Sequence, residues 1–202
     1  MIEYPMILLF KRFFCGFVHS KRATQYVWLL LLVNGCASTA PLIAPSAVDV
    51  FRGKMAINPR EGKAHTVSFQ WQHTSTMDTI SVSTMFGIPV FTLIRDPYIS
   101  TLTMANGDQY HADNPETLMQ SLVGWSLPTA AITQWMHGQL NGSEHNPRKN
   151  QLGQWQSFNY QQWHIELSRH TTAYPDARPQ LIMLTSEELR MKMIIKAYER
   201  LD

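Results

Sequence analysis

The chain has 202 residues, 45% of them hydrophobic and 16% charged, and a formal net charge of +2. The excess of bases lies in the first 35 positions, so the remainder is near neutral, with 13 basic against 14 acidic side chains. That balance excludes a basic stripe for nucleic acid. Two cysteines exclude a disulfide-stapled scaffold, leaving a hydrophobic core as what must hold the fold.

In residues 1–18, Lys11 and Arg12 interrupt an apolar stretch and break it as a membrane span. The reading is a translation start set too far upstream, with the true n-region beginning near Ser20; a second membrane segment is the other reading. Lys21 and Arg22 then precede an apolar run from Tyr26 to Val33, which ends at Asn34, Gly35 and Cys36. Basic n-region, short apolar h-region and small residue are the order of a secretory signal. The run falls well short of the ~20 residues needed to cross a bilayer. Val33-Asn34-Gly35-Cys36 resembles the lipobox of bacterial lipoproteins, with Asn34 an unusually polar member. The resemblance implies a signal peptide over residues 1–35 and acylation of Cys36; an ordinary signal with an incidental cysteine is the alternative. Residues 36–48, with Pro41 and Pro45 among small side chains, read as an extended tether.

From Asp49 onward the sequence predicts one domain, mostly strands. Apolar residues recur with a period of two at Phe51, Gly53, Met55 and Ile57, at Val67, Phe69 and Trp71, and at Ile80 and Val82. The pattern returns at Trp163, Ile165 and Leu167, and at Leu189, Met191, Met193 and Ile195. Turn signals fall between them: Asn58-Pro59, Gly87 with Pro89, Asp96-Pro97, Asn106-Gly107-Asp108 and Tyr174-Pro175-Asp176. Such strands make an antiparallel sheet with one apolar face.

Two short helices interrupt the strands. Asn114 is placed to cap the first, with Pro115 at its first position and Leu118, Met119, Leu122 and Val123 on one face up to Gly124. The second begins near Pro128, sets Ile132, Trp135 and Met136 on one face, and stops at Gly138. Neither is long enough to be stable alone, so both must dock on the sheet.

The segment GDQYHADNPETLMQSLVGWSLPTAAITQWMHG resembles the strand and two-helix portion of the LolB family of outer-membrane lipoprotein receptors. FRGKMAI, SFQWQ, TMFGIPVFTL, QQWHIELS and the stretch from Arg178 to Ile195 resemble its strands in the right order, so the likeness covers nearly all of residues 50–196. Met85-Phe86-Gly87 stands where the family usually has Pro-Leu-Gly, and the portion ahead of the first strand is shorter than expected. The resemblance implies a mainly β, α+β fold: a half-open antiparallel β-barrel covered by a helical lid over an apolar cavity. It also implies a monomeric, non-enzymatic receptor in the inner leaflet of the outer membrane. Such a receptor takes lipoprotein cargo from a periplasmic carrier of the same fold (LolA-like) and places the acyl chains in outer-membrane lipid.

The candidate site residues follow from pattern and resemblance together. Trp71, Trp125 and Trp135, with Met119, Met136, Met191 and Met193, are candidates to line an acyl cavity, methionine being the most deformable apolar side chain. Each also reads as an ordinary core residue, the cavity resting on the resemblance, and Trp125, between the helices, suits a lid hinge. Phe86, flanked by Met85 and Gly87, stands in a turn where a polar residue is usual; it reads either as an exposed membrane contact or as part of the core. In the family the matching loop carries a protruding apolar residue that helps deliver cargo. No catalytic residue, cofactor or metal is expected: the histidines lack a metal spacing, and Ser68, Ser81 and Ser83 lack a nucleophile elbow. His164 and Glu166 alternate onto a solvent face, and Asp113 belongs with the helix start rather than paired with Glu116. A structural, partner-binding lipoprotein without an acyl cavity remains the alternative function.

Overall fold

The structure, a computed structural model, describes residues 47–171 and 177–202. Cys36, the tether up to residue 46 and the Tyr174-Pro175-Asp176 turn lie outside them.

The alternation read from the sequence becomes an alternation of burial. In β1 (Val48–Pro59) Phe51, Met55 and Ile57 are buried, with Val50 buried beside Phe51 and the other neighbours at least partly exposed. The same phase runs through β2 (His65–His73), β3 (Asp78–Thr84), β4 (Pro89–Arg95) and β5 (Ser100–Met104), ending at a short β6 (Gln109–Ala112). After the helices come β7 (His145–Lys149), β8 (Trp155–Tyr160), β9 (Trp163–His170), β10 (Pro179–Thr185) and β11 (Leu189–Leu201). All eleven form one sheet in the order β6-β5-β4-β3-β2-β1-β11-β10-β9-β8-β7. Two meanders are thus joined through the antiparallel pairing of the first and last strands.

That pairing contains a bulge. Arg52 lies opposite Ala197 while Gly53 lies opposite Ile195, so Lys196 is the extra residue; bulges of this kind sharpen the twist and bend the strand. Glycine is required at 53 because a Cβ there would lie 2.0 Å from the Ile194 carbonyl oxygen and 2.9 Å from the Phe69 ring.

The sheet is open: its edges are β6 and β7, and the chain passes from one edge to the other through the two helices. α1 (Pro115–Val123) starts as the sequence predicts, with Asn114 Oδ1 accepting from the Thr117 N–H at 3.0 Å and Pro115 in the first turn. It ends at Gly124, whose φ of 80° is the left-handed cap conformation that glycine adopts without strain. α2 (Thr129–Met136) buries Ile132, Trp135 and Met136. Replacing Asn114 with alanine should cost about 1 kcal/mol, read as a fall of a few degrees in thermal midpoint; an unchanged midpoint would mean α1 adds nothing to the fold.

Candidate functional site

Between the helices and the sheet lies one apolar cluster, and it gathers the predicted residues. Trp71, Trp135, Met119, Met136, Met191 and Met193 are each 0% exposed and belong to it, and Trp125 packs against its rim, 5.9 Å from Phe91 between ring centroids. A cavity lined by these side chains was expected beneath the helices; here the side chains themselves fill that space. Trp135 is wedged against Phe158 and Tyr160, with ring centroids 5.2 and 5.3 Å away. The lid therefore closes on a packed interior, five of whose members, Met55 included, are flexible thioethers.

Polar side chains pin the lid at both ends of α2. At its start, Glu116 Oε1 accepts from the Thr129 N–H at 2.8 Å and from the Thr129 hydroxyl at 2.9 Å, which ties the two helices together. Farther along, the Trp135 indole N–H donates to Glu144 at 2.8 Å. The third contact reaches a buried carboxylate. Asp78, wholly inaccessible, accepts from the Trp71 indole at 3.0 Å, lies 2.7 Å from His73 Nδ1, pairs with the Arg95 guanidinium and receives a 3.4 Å contact from the Thr133 hydroxyl of α2. Burial pushes this carboxyl up, yet the His73, Trp71 and Arg95 contacts together outweigh it and hold the carboxyl below its ordinary value. At the far end of α2, His137 lies 3.3 Å from Asp49. Its burial holds the ring below the usual histidine value, Asp49 opposing and Arg178 and His73 adding to the effect. Sequence reasoning missed Asp78, although its place in phase with Ile80 and Val82 put it on the inner face.

The β3–β4 turn points the other way. Phe86 is 91% exposed, Met85 55% and Ile88 62%, while Gly87, at φ 82°, permits the tight return with nothing within 4 Å of it. Phe86 is thus outside the core. The turn is closed from behind by hydrogen bonds of Gly87 N to Thr84 O (3.0 Å) and Thr84 N to Ile88 O (2.8 Å), so the tip is held out by its own backbone. It shares an end of the sheet with the loop joining the helices, since Trp125 of that loop touches Phe91, whose strand partner is Val82. Beside the interhelix loop a recess of about 440 Å³ opens between Gln120, Ser126, Trp163 and the β10–β11 turn. The predicted solvent-face pair His164 and Glu166 is exposed. Among the described residues no group of three metal-ligating side chains assembles, and no helix is long and apolar enough to cross a membrane.

Comparison with known proteins settles the relationship. The model of the family "Outer membrane lipoprotein LolB" matches residues 50–198. The chain belongs to the LolB family. A LolB from Chromobacterium violaceum is 29% identical over 178 residues, covering 85% of this chain and 95% of that one. The LolB of Chromohalobacter salexigens is 28% identical over 206 residues, covering 93% and 95%. Among solved structures, a DUF1329 family protein from Desulfovibrio piger superposes with a TM-score of 0.50 at 11% identity, covering 77% of this chain and 86% of the other, a likeness of fold alone. The LolB match takes in both helices, the β3–β4 turn and Asp78; the proposed lipobox and tether precede it.

In this LolB-family chain Asp78 gives a pH test. Because its carboxyl is held low in the folded state, its stabilisation is fully present above the ordinary carboxylate value and is lost as pH falls through the folded value. Asp78→Asn should therefore lower stability near neutrality by about 3–5 kcal/mol, Arg95 losing its counter-charge, and should flatten the acid limb of a midpoint-against-pH curve. An unaltered acid limb would show that Asp78 does not govern it.

Proposed function

We propose that this LolB-family protein, a receptor of lipoprotein localisation, holds its cargo's acyl chains between lid and sheet and releases them into a leaflet through the β3–β4 turn. The observation that carries the reading is Phe86, 91% exposed between exposed Met85 and Ile88, at the sheet end where the interhelix loop closes the apolar cluster. An aromatic costs little in water at a rigid tip if it spends its working life in hydrocarbon.

Cargo arrives from a soluble periplasmic carrier. A buried methylene contributes ~0.8 kcal/mol, so one long acyl chain crossing open water would cost more than ~10 kcal/mol; the chains must pass from mouth to mouth. No nucleotide is hydrolysed, so transfer runs towards the tighter site. To admit the chains, α1 and α2 lift and Met119, Met136, Met191 and Met193 repack around them, a pocket made dominant by its ligand. Short helices fastened by a few polar contacts suit that motion. No residue acts as a catalyst.

The anchor is acylated Cys36, in the periplasmic leaflet of the outer membrane. The twelve-residue step from Cys36 to Val48 reaches at most about 40 Å. Val48 begins β1 at the end opposite Phe86: Asp49 lies beside His73 and Met55 beside Val67, the partner of Thr84. The seven residues from Val48 to Met55 rise about 23 Å, so the tether is long enough for anchor and tip to occupy one leaflet. Packing of the interior favours the other reading, a structural lipoprotein without acyl binding, and the same assay separates the two.

Phe86→Glu should change folding stability by no more than ~0.5 kcal/mol, take up cargo from loaded carrier normally and fail to deliver it into liposomes. A stable variant that delivers at the normal rate removes the loop's membrane role; a wild-type domain that takes no cargo from carrier favours the structural reading. Cys36→Ser should abolish incorporation of labelled palmitate, and labelling that persists would refute the lipobox assignment.

A further inference from the structure

On the face of the sheet turned away from the helices, the bulge between β1 and β11 opens a trough of about 590 Å³ that the acyl-transfer reading leaves unused. Its charged walls are Arg52, Lys54 and Lys196, and Ser68 and Ser83 lie along its floor. Arg52 is neutralised by Glu199 at 3.0 Å and steadied by Gln70 at 2.9 Å. Lys54 and Lys196 have no ion-pair partner among the described residues. The trough thus presents two uncompensated ammonium groups above a row of hydroxyls, the donor set for a single phosphodiester.

Its position says which phosphodiester. Lys54 pairs across the sheet with Ser68, Ser68 with Ser83, and Ser83 with Pro89. That row runs straight to the base of the turn that carries Phe86. Two strand spacings separate Lys54 from Ser83, about 10 Å, and three residues, about another 10 Å, separate Ser83 from Phe86. With Phe86 seated at the acyl boundary, lysine stems that reach towards the interface bring their charges to the headgroup layer. Lys196, in phase with Lys192 and Ile194 on the outer face, is the extra residue of the bulge.

We propose that this trough docks the headgroup of an anionic phospholipid, phosphatidylglycerol in chemical class, in the leaflet that receives Phe86. The proposal rests on the membrane role of Phe86 and adds the lipid that the loop selects. Two lysines near an anionic surface tighten docking by about thirty-fold.

The test uses the acylated protein reconstituted in phosphatidylcholine vesicles, with or without phosphatidylglycerol. Two readouts are taken: the rate at which an amine-reactive reagent labels Lys54 and Lys196, and the rate of cargo delivery. The expected result is that phosphatidylglycerol protects both lysines and speeds delivery in the wild type. Lys54→Gln with Lys196→Gln should lose that acceleration while still delivering into phosphatidylcholine, and Lys54→Arg with Lys196→Arg should restore it at an unchanged thermal midpoint. Indifference of the wild type to phosphatidylglycerol, or acceleration surviving in the glutamine variant, overturns the proposal. So does a stable arginine variant that fails to restore it. Protection by glycerol phosphate without vesicles would assign the trough to a soluble anion instead and equally overturn it. Phe86→Glu, run alongside, fails in both vesicle types if the membrane loop is right; normal delivery by that variant removes the loop's role while the lysine protection is still scored on its own.

Discussion

One constraint organises this molecule: among the described residues, an eleven-stranded sheet with a continuous apolar face has only two short helices to cover it. Helices of nine and eight residues are too short to hold themselves together in water, so their existence depends on the contact they make with the sheet. Docking and folding of the lid are therefore one event. Anything that competes for the apolar face competes with the lid itself, and an acyl chain is such a competitor. Under the proposed function, the closed, packed interior is the resting condition of a site whose ligand substitutes for the protein's own side chains.

Against that apolar background the polar contacts serve as registration. Asp78, Glu116 and Glu144 each take a donor from α2 or its first residue, and the three contacts are made together only when α2 sits at one position along the sheet. Buried carboxylates are poor sources of net stability, but they make misplacement expensive. Phe86 needs no such control, being fixed by the backbone of its own turn.

Much of this was legible in the residues. Asn114, Pro115 and Gly124 marked α1 to the residue, because caps act locally and leave local signatures. Strands β1, β2, β3, β9 and β11 were visible because one face of each is buried, which writes a period of two into the sequence. β7 was not, since all of its residues are exposed at an edge and nothing there needs to alternate. β5 and β8 are short and were passed over for their richer neighbours. The exposure of Phe86 could be posed but not decided, because a turn's direction is set by hydrogen bonds among Thr84, Gly87 and Ile88 that sequence does not display. The filled interior was beyond reach for a similar reason: a side chain that lines a space and one that occupies it have the same pattern.

The unpaired edges β6 and β7 carry a mechanical meaning. In a closed barrel the number of strands and their stagger fix the bore, and widening it means breaking a ladder. An open sheet has no hoop. Its two free margins can spread or draw together by small changes in twist at each of ten strand pairings, with every hydrogen bond kept. Under the proposed function, a container built this way would adjust its girth to what it carries, and cargoes with different numbers and lengths of acyl chain would require no different receptor.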